Sequence, residues 1–168
     1  VSGTSYSLLY NKVQNTTGNW VTSGGAFNPR WYNYNCYAFA INRAEQPQFY
    51  PSRPYIQYQP GDMSGAGAFQ DCSNINQLAE IIRADLVAMG FSNISLSSSI
   101  PTINSTQELM CVRMKYDVDY HFMRYDLDTN AWYHKPGTTV VLKYNYSPNN
   151  NMLWYNEYSN AQGTYPST

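Results

Sequence analysis

Charged side chains are scarce in this sequence of 168 residues. Ten Lys and Arg against eleven Asp and Glu give a formal net charge of −1, and only 12% of the residues are charged. The basic residues are scattered along the chain, so the sequence lacks the positive patch typical of proteins that bind nucleic acids or acidic membranes. Neither of these partners is expected.

Long apolar segments are also lacking. No run approaches the roughly 20 apolar residues that a membrane-spanning helix requires, so no membrane span is expected. Tyrosine is abundant instead, with 17 residues, and 16% of the chain is aromatic. An uncharged, tyrosine-rich surface is typical of proteins that contact peptides or sugars outside the cell. We therefore expect a secreted or cell-surface location.

Cysteine and histidine are few. The chain has three cysteines, Cys36, Cys72 and Cys111, and two histidines, His121 and His134. Three cysteines cannot build a disulfide framework, because at most one bridge forms and one thiol is left over. No Cys-x-x-Cys or His-x-x-x-His spacing occurs, so neither a metal site nor another cofactor is expected.

The length of the chain suits one domain with its own core. No glycine-rich or proline-rich linker divides the sequence into two parts. We expect a single domain over residues 1–168, present as a monomer.

Two helices are predicted. The first runs from about Asn35 to about Ala44. The second covers residues 74–89, where apolar side chains recur at spacings of three and four, with Ser73 as N-cap and Gly90 as terminator. One face of this second helix is expected to pack against a sheet.

The strands are predicted mainly in the second half of the chain. Residues 1–35 are rich in turn formers and predict loops with one or two short strands, and residues 45–70 predict a long ordered loop around the site. Further strands rich in Val, Tyr and Met are predicted near 93–96, 108–116, 119–127, 131–134 and 138–144. This order favours an α+β fold with helices against an antiparallel sheet.

Cys36 is the strongest candidate for a reactive group. It stands at the predicted start of the first helix, where backbone N–H groups and the positive end of the helix dipole favour a thiolate, which is the nucleophilic form. Such a placement predicts a lowered pKa for this thiol. A base is then needed, and only the two downstream histidines can supply an imidazole.

The two histidines lie on one predicted hairpin. Alternation places His121, Met123 and Tyr125 on the same face of their strand. If Tyr125 opposes His134, both imidazoles share that face, whereas a shift of one residue would turn His134 to the other face. In the first register His121 would take the proton from Cys36, while His134 or a nearby carboxylate would orient the ring of His121.

Several segments resemble known peptidases. Asn35-Cys36-Tyr37-Ala38-Phe39-Ala40 is similar to the segment around the nucleophile of papain-like peptidases, and two histidines thirteen residues apart resemble the Cys-His-His arrangement of NlpC/P60 peptidases. Together with Gln59-Pro60-Gly61-Asp62, Ser64-Gly65 and His134-Lys135-Pro136-Gly137, these segments also resemble a bacterial group of unassigned function. The resemblance covers about residues 35–140.

The resemblance implies a papain-like fold in which the Cys36 helix packs on an antiparallel sheet. It implies a thiol-dependent peptidase or amidase that forms an acyl-enzyme on Cys36, with His121 as base and His134 as orienting residue. The implied substrate is a peptide, a protein or peptidoglycan.

Two features depart from the papain-like pattern. The position six residues before the nucleophile holds Arg30 instead of the glutamine that donates to the oxyanion, so Asn33 and Asn35 are the candidate donors. Cys72 is an alternative nucleophile, because Asp71-Cys72-Ser73 resembles the Asp-Cys-Ser of NlpC/P60 enzymes. The Pro-Gly-Asp turn that follows the nucleophile in those enzymes follows Cys36 here, which favours Cys36.

Two alternatives to hydrolysis stay open at this point. Transglutaminase-like acyltransferases share the order of cysteine and histidine, and they pass the acyl group to an amine. A non-catalytic papain-like binding module or toxin domain is the other alternative, and the missing upstream glutamine supports it.

Overall fold

The computed structural model describes residues 5–11, 13–14, 20–21, 35–41, 58–71, 73–116, 119–127, 129–135, 141–144 and 161–164. Within these ranges the chain forms two helices and nine strands. In chain order they are β1 (Ser5–Asn11), β2 (Val13–Gln14), β3 (Trp20–Val21), α1 (Cys36–Ala40), α2 (Ile75–Ala88), β4 (Ser92–Ser97), β5 (Gln107–Lys115), β6 (Asp119–Asp126), β7 (Ala131–His134), β8 (Leu142–Tyr144) and β9 (Ala161–Thr164).

Seven of the strands form one sheet in the order β4-β1-β5-β6-β7-β8-β9, and β2 and β3 form a separate pair. Every neighbouring pair in the large sheet is antiparallel. The predicted α+β class with an antiparallel sheet is therefore confirmed. Within the described part of the chain, neither helix has the length and apolarity needed to cross a bilayer.

The strands of the second half lie close to their predicted positions. β4, β5, β6 and β7 each match a predicted strand to within about two residues at either end, and β8 matches the end of the last one. The start of that last prediction, at residues 138–140, lies outside the described residues, as do residues 45–57 of the predicted loop.

The first strand corrects the expectation for residues 1–35. β1 is seven residues long and lies inside the sheet, between β4 and β5, rather than being a short piece in a loop region. Its partners are far downstream, since Leu8 pairs with Leu96 on β4, 88 residues away, and with Met110 on β5, 102 residues away. Pairing over that separation is not encoded in the local pattern of β1.

Helix α2 forms as its apolar spacing predicts. Ile75, Leu78, Ile82 and Leu86 are buried along one face. The N-cap is Asn74 rather than the predicted Ser73: the Oδ1 atom of Asn74 accepts a hydrogen bond from the N–H of Gln77 at 3.1 Å. The left-handed φ of +92° at Gly90 ends the helix, as expected of a glycine at this position.

The core lies on both faces of the large sheet. On one face, α1 and α2 pack against alternate residues of the strands, including Val112, Phe122 and Tyr133. On the other face, a smaller apolar cluster contains Leu109, Cys111, Met123 and Trp132. The two faces are called the helix face and the back face below.

Candidate functional site

Helix α1 begins at Cys36 because Asn35 caps it. The Oδ1 atom of Asn35 accepts a hydrogen bond from the N–H of Ala38 at 2.9 Å, and the backbone of Asn35 is extended. Such a cap satisfies one of the N–H groups that the first turn of a helix leaves without an intrahelical partner. Cys36 is therefore the first helical residue, as the sequence predicts. The predicted end near Ala44 is wrong, because the helix ends at Ala40 with Ile41 as its C-cap.

The Cys36 thiol is not acidic in this environment. Cys36 is half-buried, and loss of solvation raises its pKa from an ordinary value of 9.0 to about 12, with the negative charge of Asp119 acting in the same direction. Hydrogen bonds from the N–H groups of Tyr37, Phe122 and Cys36 itself favour the thiolate but are outweighed. The expected lowering is therefore wrong. A helix of five residues aligns few peptide dipoles, so desolvation decides the pKa.

The two histidines meet inside the protein. The Nε2 atom of His121 lies 2.9 Å from the Nδ1 atom of His134, and both residues are buried. His134 opposes Met123 rather than Tyr125. This differs from the register considered above by two residues, so it keeps both imidazoles on the same face of the sheet. His121 and His134 are then diagonal neighbours on adjacent strands, within reach of a direct hydrogen bond.

Burial keeps both imidazoles neutral near pH 7. It lowers the pKa of His134 from 6.5 to about 4. It also lowers the pKa of His121 well below 6.5, and the charges of His134 and Arg113 add to that effect. Arg113 lies directly opposite His121 on β5. In a neutral pair one ring nitrogen donates the hydrogen and the other accepts it.

Alternation along β6 sets the position of the histidines relative to α1. Phe122 faces α1, where its ring centroid lies 4.8 Å from that of Tyr37. His121 is the preceding residue, so its side chain points to the back face, together with Met123. The hydrogen bond from the N–H of Phe122 nevertheless brings the Cys36 sulfur to the peptide group that joins His121 to Phe122. The thiol therefore lies beside the backbone of His121, at the stretch of β6 that precedes its pairing with β7 at Met123.

Both polar atoms of the Asn35 side chain form hydrogen bonds. Besides capping α1 with Oδ1, it donates a hydrogen bond from Nδ2 to the carbonyl oxygen of Tyr58 at 2.7 Å. Asn35 thus ties the start of α1 to the loop of residues 58–71. In this arrangement its amide serves the fold instead of pointing to an oxyanion. The other candidate donor, Asn33, lies outside the described residues.

Of the two remaining cysteines, the structure describes Cys111. Cys111 is a free, buried thiol on the back face, and burial raises its pKa to about 12 as well. Cys72, the alternative nucleophile, lies outside the described residues. Among the described residues, no group of three or more His, Cys, Asp or Glu side chains is arranged to hold a metal ion.

The loop of residues 58–71 is fixed by a buried carboxylate that sequence reasoning missed. Asp85, fully buried on α2, accepts hydrogen bonds from the hydroxyl of Tyr37 at 2.6 Å, from the N–H of Gly61 at 2.8 Å and from the N–H of Ser64 at 2.9 Å. These bonds join α1, α2 and the loop beside Cys36. A signal was available, because Asp85 is an acidic residue within the apolar face of α2, three residues after Ile82.

Lys135 was also missed as a functional candidate. It directly follows β7 and has no exposed surface. Burial lowers its pKa from 10.5 to about 8, and the charge of the Cys36 thiolate opposes this lowering. Lysine is almost never fully buried unless it is paired, so such burial is not expected from the sequence.

Comparison of the chain with models of protein families, with curated proteins and with solved structures gives no match.

Proposed function

We propose that the protein is a thiol-dependent hydrolase of amide bonds, a peptidase or amidase with a papain-like fold. In this proposal Cys36 is the nucleophile, His121 the base and His134 the residue that orients His121. The observation that carries the proposal is the buried hydrogen bond of 2.9 Å between Nε2 of His121 and Nδ1 of His134.

This hydrogen bond determines which ring nitrogen of His121 can act as the base. When Nε2 of His121 carries the hydrogen and donates it to His134, Nδ1 of His121 holds the lone pair that a general base requires. The imidazolium formed after proton transfer is stabilised by the same hydrogen bond. His134 then holds the tautomer and the ring orientation, which is the role of the third member of a catalytic triad.

The pKa values favour proton transfer during the attack over a preformed ion pair. Cys36 has a pKa of about 12 and His121 one well below 6.5, so thiol and imidazole are both neutral at rest. In the proposed reaction the Cys36 proton passes to Nδ1 of His121 as sulfur bonds to the substrate carbonyl carbon, which requires the His121 ring to turn from the back face toward the sulfur. His121 next gives that proton to the leaving amine, and water hydrolyses the thioester, which regenerates the thiol.

Backbone N–H groups at the start of α1 are the proposed oxyanion donors. The N–H groups of Cys36 and Tyr37 both favour negative charge on the sulfur. A carbonyl oxygen attacked by that sulfur would develop its negative charge next to the same groups, which do not have to reorganise. This assignment replaces the side chain of Asn35, which is engaged with Ala38 and Tyr58.

An activated ester tests the chemistry before the natural substrate is known. The wild type is incubated with 4-nitrophenyl acetate, nitrophenolate release is followed, and peptide mapping locates the acetyl group. We expect acetylation of Cys36 with continued release, and none on Cys36→Ser. His121→Ala should lower the rate by about 10²- to 10⁴-fold, the range of general base catalysis. Cys111→Ala is the matched control and should behave as the wild type.

Three results would overturn the proposal: an acetyl group on Cys72, no acetylation of any cysteine, or an unchanged rate in His121→Ala. After a positive result, peptide amides and the stem peptides of bacterial cell walls are the substrates to test. Addition of an amine distinguishes transfer from hydrolysis, because an acyltransferase forms the new amide at the expense of free acid.

A non-catalytic binding module is the second candidate. The observation that favours it is the burial of the Cys36 thiol, which raises the pKa instead of lowering it. The side chain of His121 also points to the back face of β6, whereas Cys36 packs on the helix face with Phe122. This candidate predicts that neither Cys36→Ser nor His121→Ala changes the reaction with the ester.

A further inference from the structure

Asp85 is bonded to both of the structures that flank the proposed nucleophile. Its Oδ2 atom accepts a hydrogen bond from the hydroxyl of Tyr37, the second residue of α1, at 2.6 Å. The same oxygen accepts the N–H of Gly61 at 2.8 Å, and Oδ1 accepts the N–H of Ser64 at 2.9 Å, both in the loop of residues 58–71. The carboxylate is fully buried, so water does not compete for these bonds. One side chain thus holds the start of α1 and the loop together.

The loop is also tied at both ends to the surroundings of Cys36. At its start, the carbonyl oxygen of Tyr58 accepts a hydrogen bond from Nδ2 of Asn35, the N-cap of α1, at 2.7 Å. Near its end, the carbonyl oxygen of Phe69 accepts a hydrogen bond from the hydroxyl of Tyr120 at 2.6 Å. Tyr120 lies on β6, the strand on which α1 packs. The loop therefore borders the half-buried thiol.

The part of the loop between these ties is open to solvent. Residues 64–68 are all exposed, and they have small side chains: one serine, two glycines and two alanines. A Cβ atom added to Gly65 or Gly67 would meet no atom within 4 Å. A molecule that approaches the thiol along the loop would meet backbone and small side chains rather than a bulky barrier.

We propose that Asp85 is a positioning residue of the site, which sets the separation between the nucleophile on α1 and the loop. This inference rests on the proposed function, because it concerns the same nucleophile. The bond to Tyr37 holds the turn that carries the thiol and the proposed oxyanion donors. The bonds to Gly61 and Ser64 hold the loop as one wall of the substrate cleft. Misplacement by about 1 Å can lower a catalysed rate by about 100-fold, so such an anchor affects the reaction as well as stability.

Two substitutions separate these roles. Tyr37→Phe removes the hydroxyl and releases the start of α1. Asp85→Asn acts mainly on the loop, because Gly61 and Ser64 donate to different oxygens and an amide offers only one. One of these two N–H groups then faces an NH₂ group. The Tyr37 hydroxyl keeps a partner in either orientation of the amide, since a hydroxyl both donates and accepts.

Acylation by 4-nitrophenyl hexanoate, whose acyl chain extends beyond the thiol, measures both effects. The limiting rate and the ester concentration that gives half of it are determined for each variant. Tyr37→Phe should lower the limiting rate by about 10- to 100-fold and leave the half-saturating concentration unchanged. Asp85→Asn should raise the half-saturating concentration by about tenfold, as for the loss of one apolar contact with the substrate, and change the limiting rate less.

Tyr133→Phe is the matched control. It also removes the hydroxyl of a buried tyrosine, which donates a hydrogen bond to Thr129 at 3.0 Å near the turn between β6 and β7. Both kinetic quantities should equal those of the wild type. Circular dichroism of each variant shows whether it is folded.

Alkylation by iodoacetamide shows whether the change at α1 is local. The rates at Cys36 and Cys111 are measured by peptide mapping in the same sample. Release of the start of α1 should expose Cys36 further and raise its rate several-fold in Tyr37→Phe. Cys111 is buried on the back face, so its rate reports opening of the whole protein and should equal that of Tyr133→Phe.

The inference fails if Tyr37→Phe keeps the limiting rate of the wild type, if Asp85→Asn keeps its half-saturating concentration, or if Tyr37→Phe accelerates alkylation of Cys36 and Cys111 by the same factor. If Asp85→Asn does not fold, the limiting rate of Tyr37→Phe still decides. A wild type that is not acylated on Cys36 rejects the hydrolase alone. The alkylation of Cys36 in Tyr37→Phe, compared with Tyr133→Phe, then decides whether the anchor positions the thiol.

Discussion

His121 and His134 form a buried pair in which Nε2 of the first lies 2.9 Å from Nδ1 of the second, with the rings nearly perpendicular at 86°. Neither ring is charged near pH 7, because burial lowers the pKa of both. The hydrogen between them therefore fixes one tautomer of each ring. We therefore expect removal of either ring to change the tautomer and the orientation of the other.

Substitution of His134 tests its orienting role. His134→Asn supplies an amide oxygen that can accept a hydrogen bond from Nε2 of His121, whereas His134→Ala supplies no acceptor. We expect Ala to lower the rate of Cys36 acetylation by about 10- to 100-fold, part of the range of general base catalysis, and Asn to lower it less. Nitrophenolate release measures both rates. Equal rates in the wild type and the two variants would contradict an orienting role.

The same pair predicts how stability depends on pH. The folded pKa values lie below the unfolded value of about 6.5, so the unfolded chain binds more protons. Stability from the neutral rings is present above pH 6.5 and is lost as the pH falls toward about 4, the value for His134. The free energy of unfolding should fall by up to about 1.4 kcal/mol per pH unit for each ring.

Urea unfolding at several pH values between 6.5 and 5 measures this loss. The chain has only two histidines, so this window reports mainly on them. His134→Asn should show a shallower dependence than the wild type. A free energy of unfolding that stays constant across the window in the wild type would contradict the prediction.

The sequence predicts elements whose patterns are local. The apolar spacing of α2 and the Val- and Tyr-rich segments of β5, β6 and β7 are sufficient to place them. The parity of the hairpin stayed open at the level of sequence, and the pairing of His134 with Met123 decides it, so that His121 and His134 share a face. By contrast, β1 is defined by its pairing with β4 and β5, which no short segment encodes.

The site was less predictable because its electrostatics depend on tertiary packing. The helix start at Cys36 suggests an acidic thiol, but burial by surrounding elements raises the pKa to about 12. Lys135 was noted only as part of a motif. Its burial depends on how the surrounding elements pack, which the sequence does not fix.

Asp85 should contribute strongly to stability. Asp85→Ala leaves the Tyr37 hydroxyl and the N–H groups of Gly61 and Ser64 without their acceptor. We expect a loss of about 3–5 kcal/mol in the free energy of unfolding, measured with urea, because several partners of a buried polar group lose it at once.

Two control variants show whether the loss of stability in Asp85→Ala comes from its hydrogen bonds or from any substitution on α2. Tyr37→Phe removes one of the three donors and should cost about 1–2 kcal/mol. Glu80→Ala removes an exposed partner of Arg83 on the same helix and should change stability by less than about 1 kcal/mol. A cost for Asp85→Ala no larger than that for Glu80→Ala would show that the carboxylate does not hold the loop.

Gly61 is predicted to be the least replaceable glycine of the loop. Its φ is +100°, and an added Cβ would lie 2.1 Å from the carbonyl oxygen of Gly67. Gly65 also has a positive φ, +78°, but an added Cβ there meets no atom within 4 Å. Gly65→Ala should therefore cost about 1 kcal/mol for backbone strain alone, and Gly61→Ala clearly more, because the loop must move. Equal unfolding free energies in urea for the two variants would refute this difference.

The Asn35 side chain caps α1 and also bonds to the loop, and two different substitutions can separate these roles. Serine keeps the oxygen that caps α1, since it is a good N-cap, but it is too short to reach the carbonyl of Tyr58. Asn35→Ser should therefore lose only the hydrogen bond to the loop, about 1 kcal/mol, while Asn35→Ala should lose the cap as well and cost about 2 kcal/mol.

Hydrogen exchange at the N–H of Ala38 distinguishes the variants, because this N–H donates the hydrogen bond that the cap accepts. Exchange should be faster in Asn35→Ala and close to wild type in Asn35→Ser. Since the cap determines where α1 begins, the same loss in Asn35→Ala should also change the alkylation rate of Cys36. Protection of Ala38 that is unchanged in Asn35→Ala would mean that the helix start does not depend on this side chain.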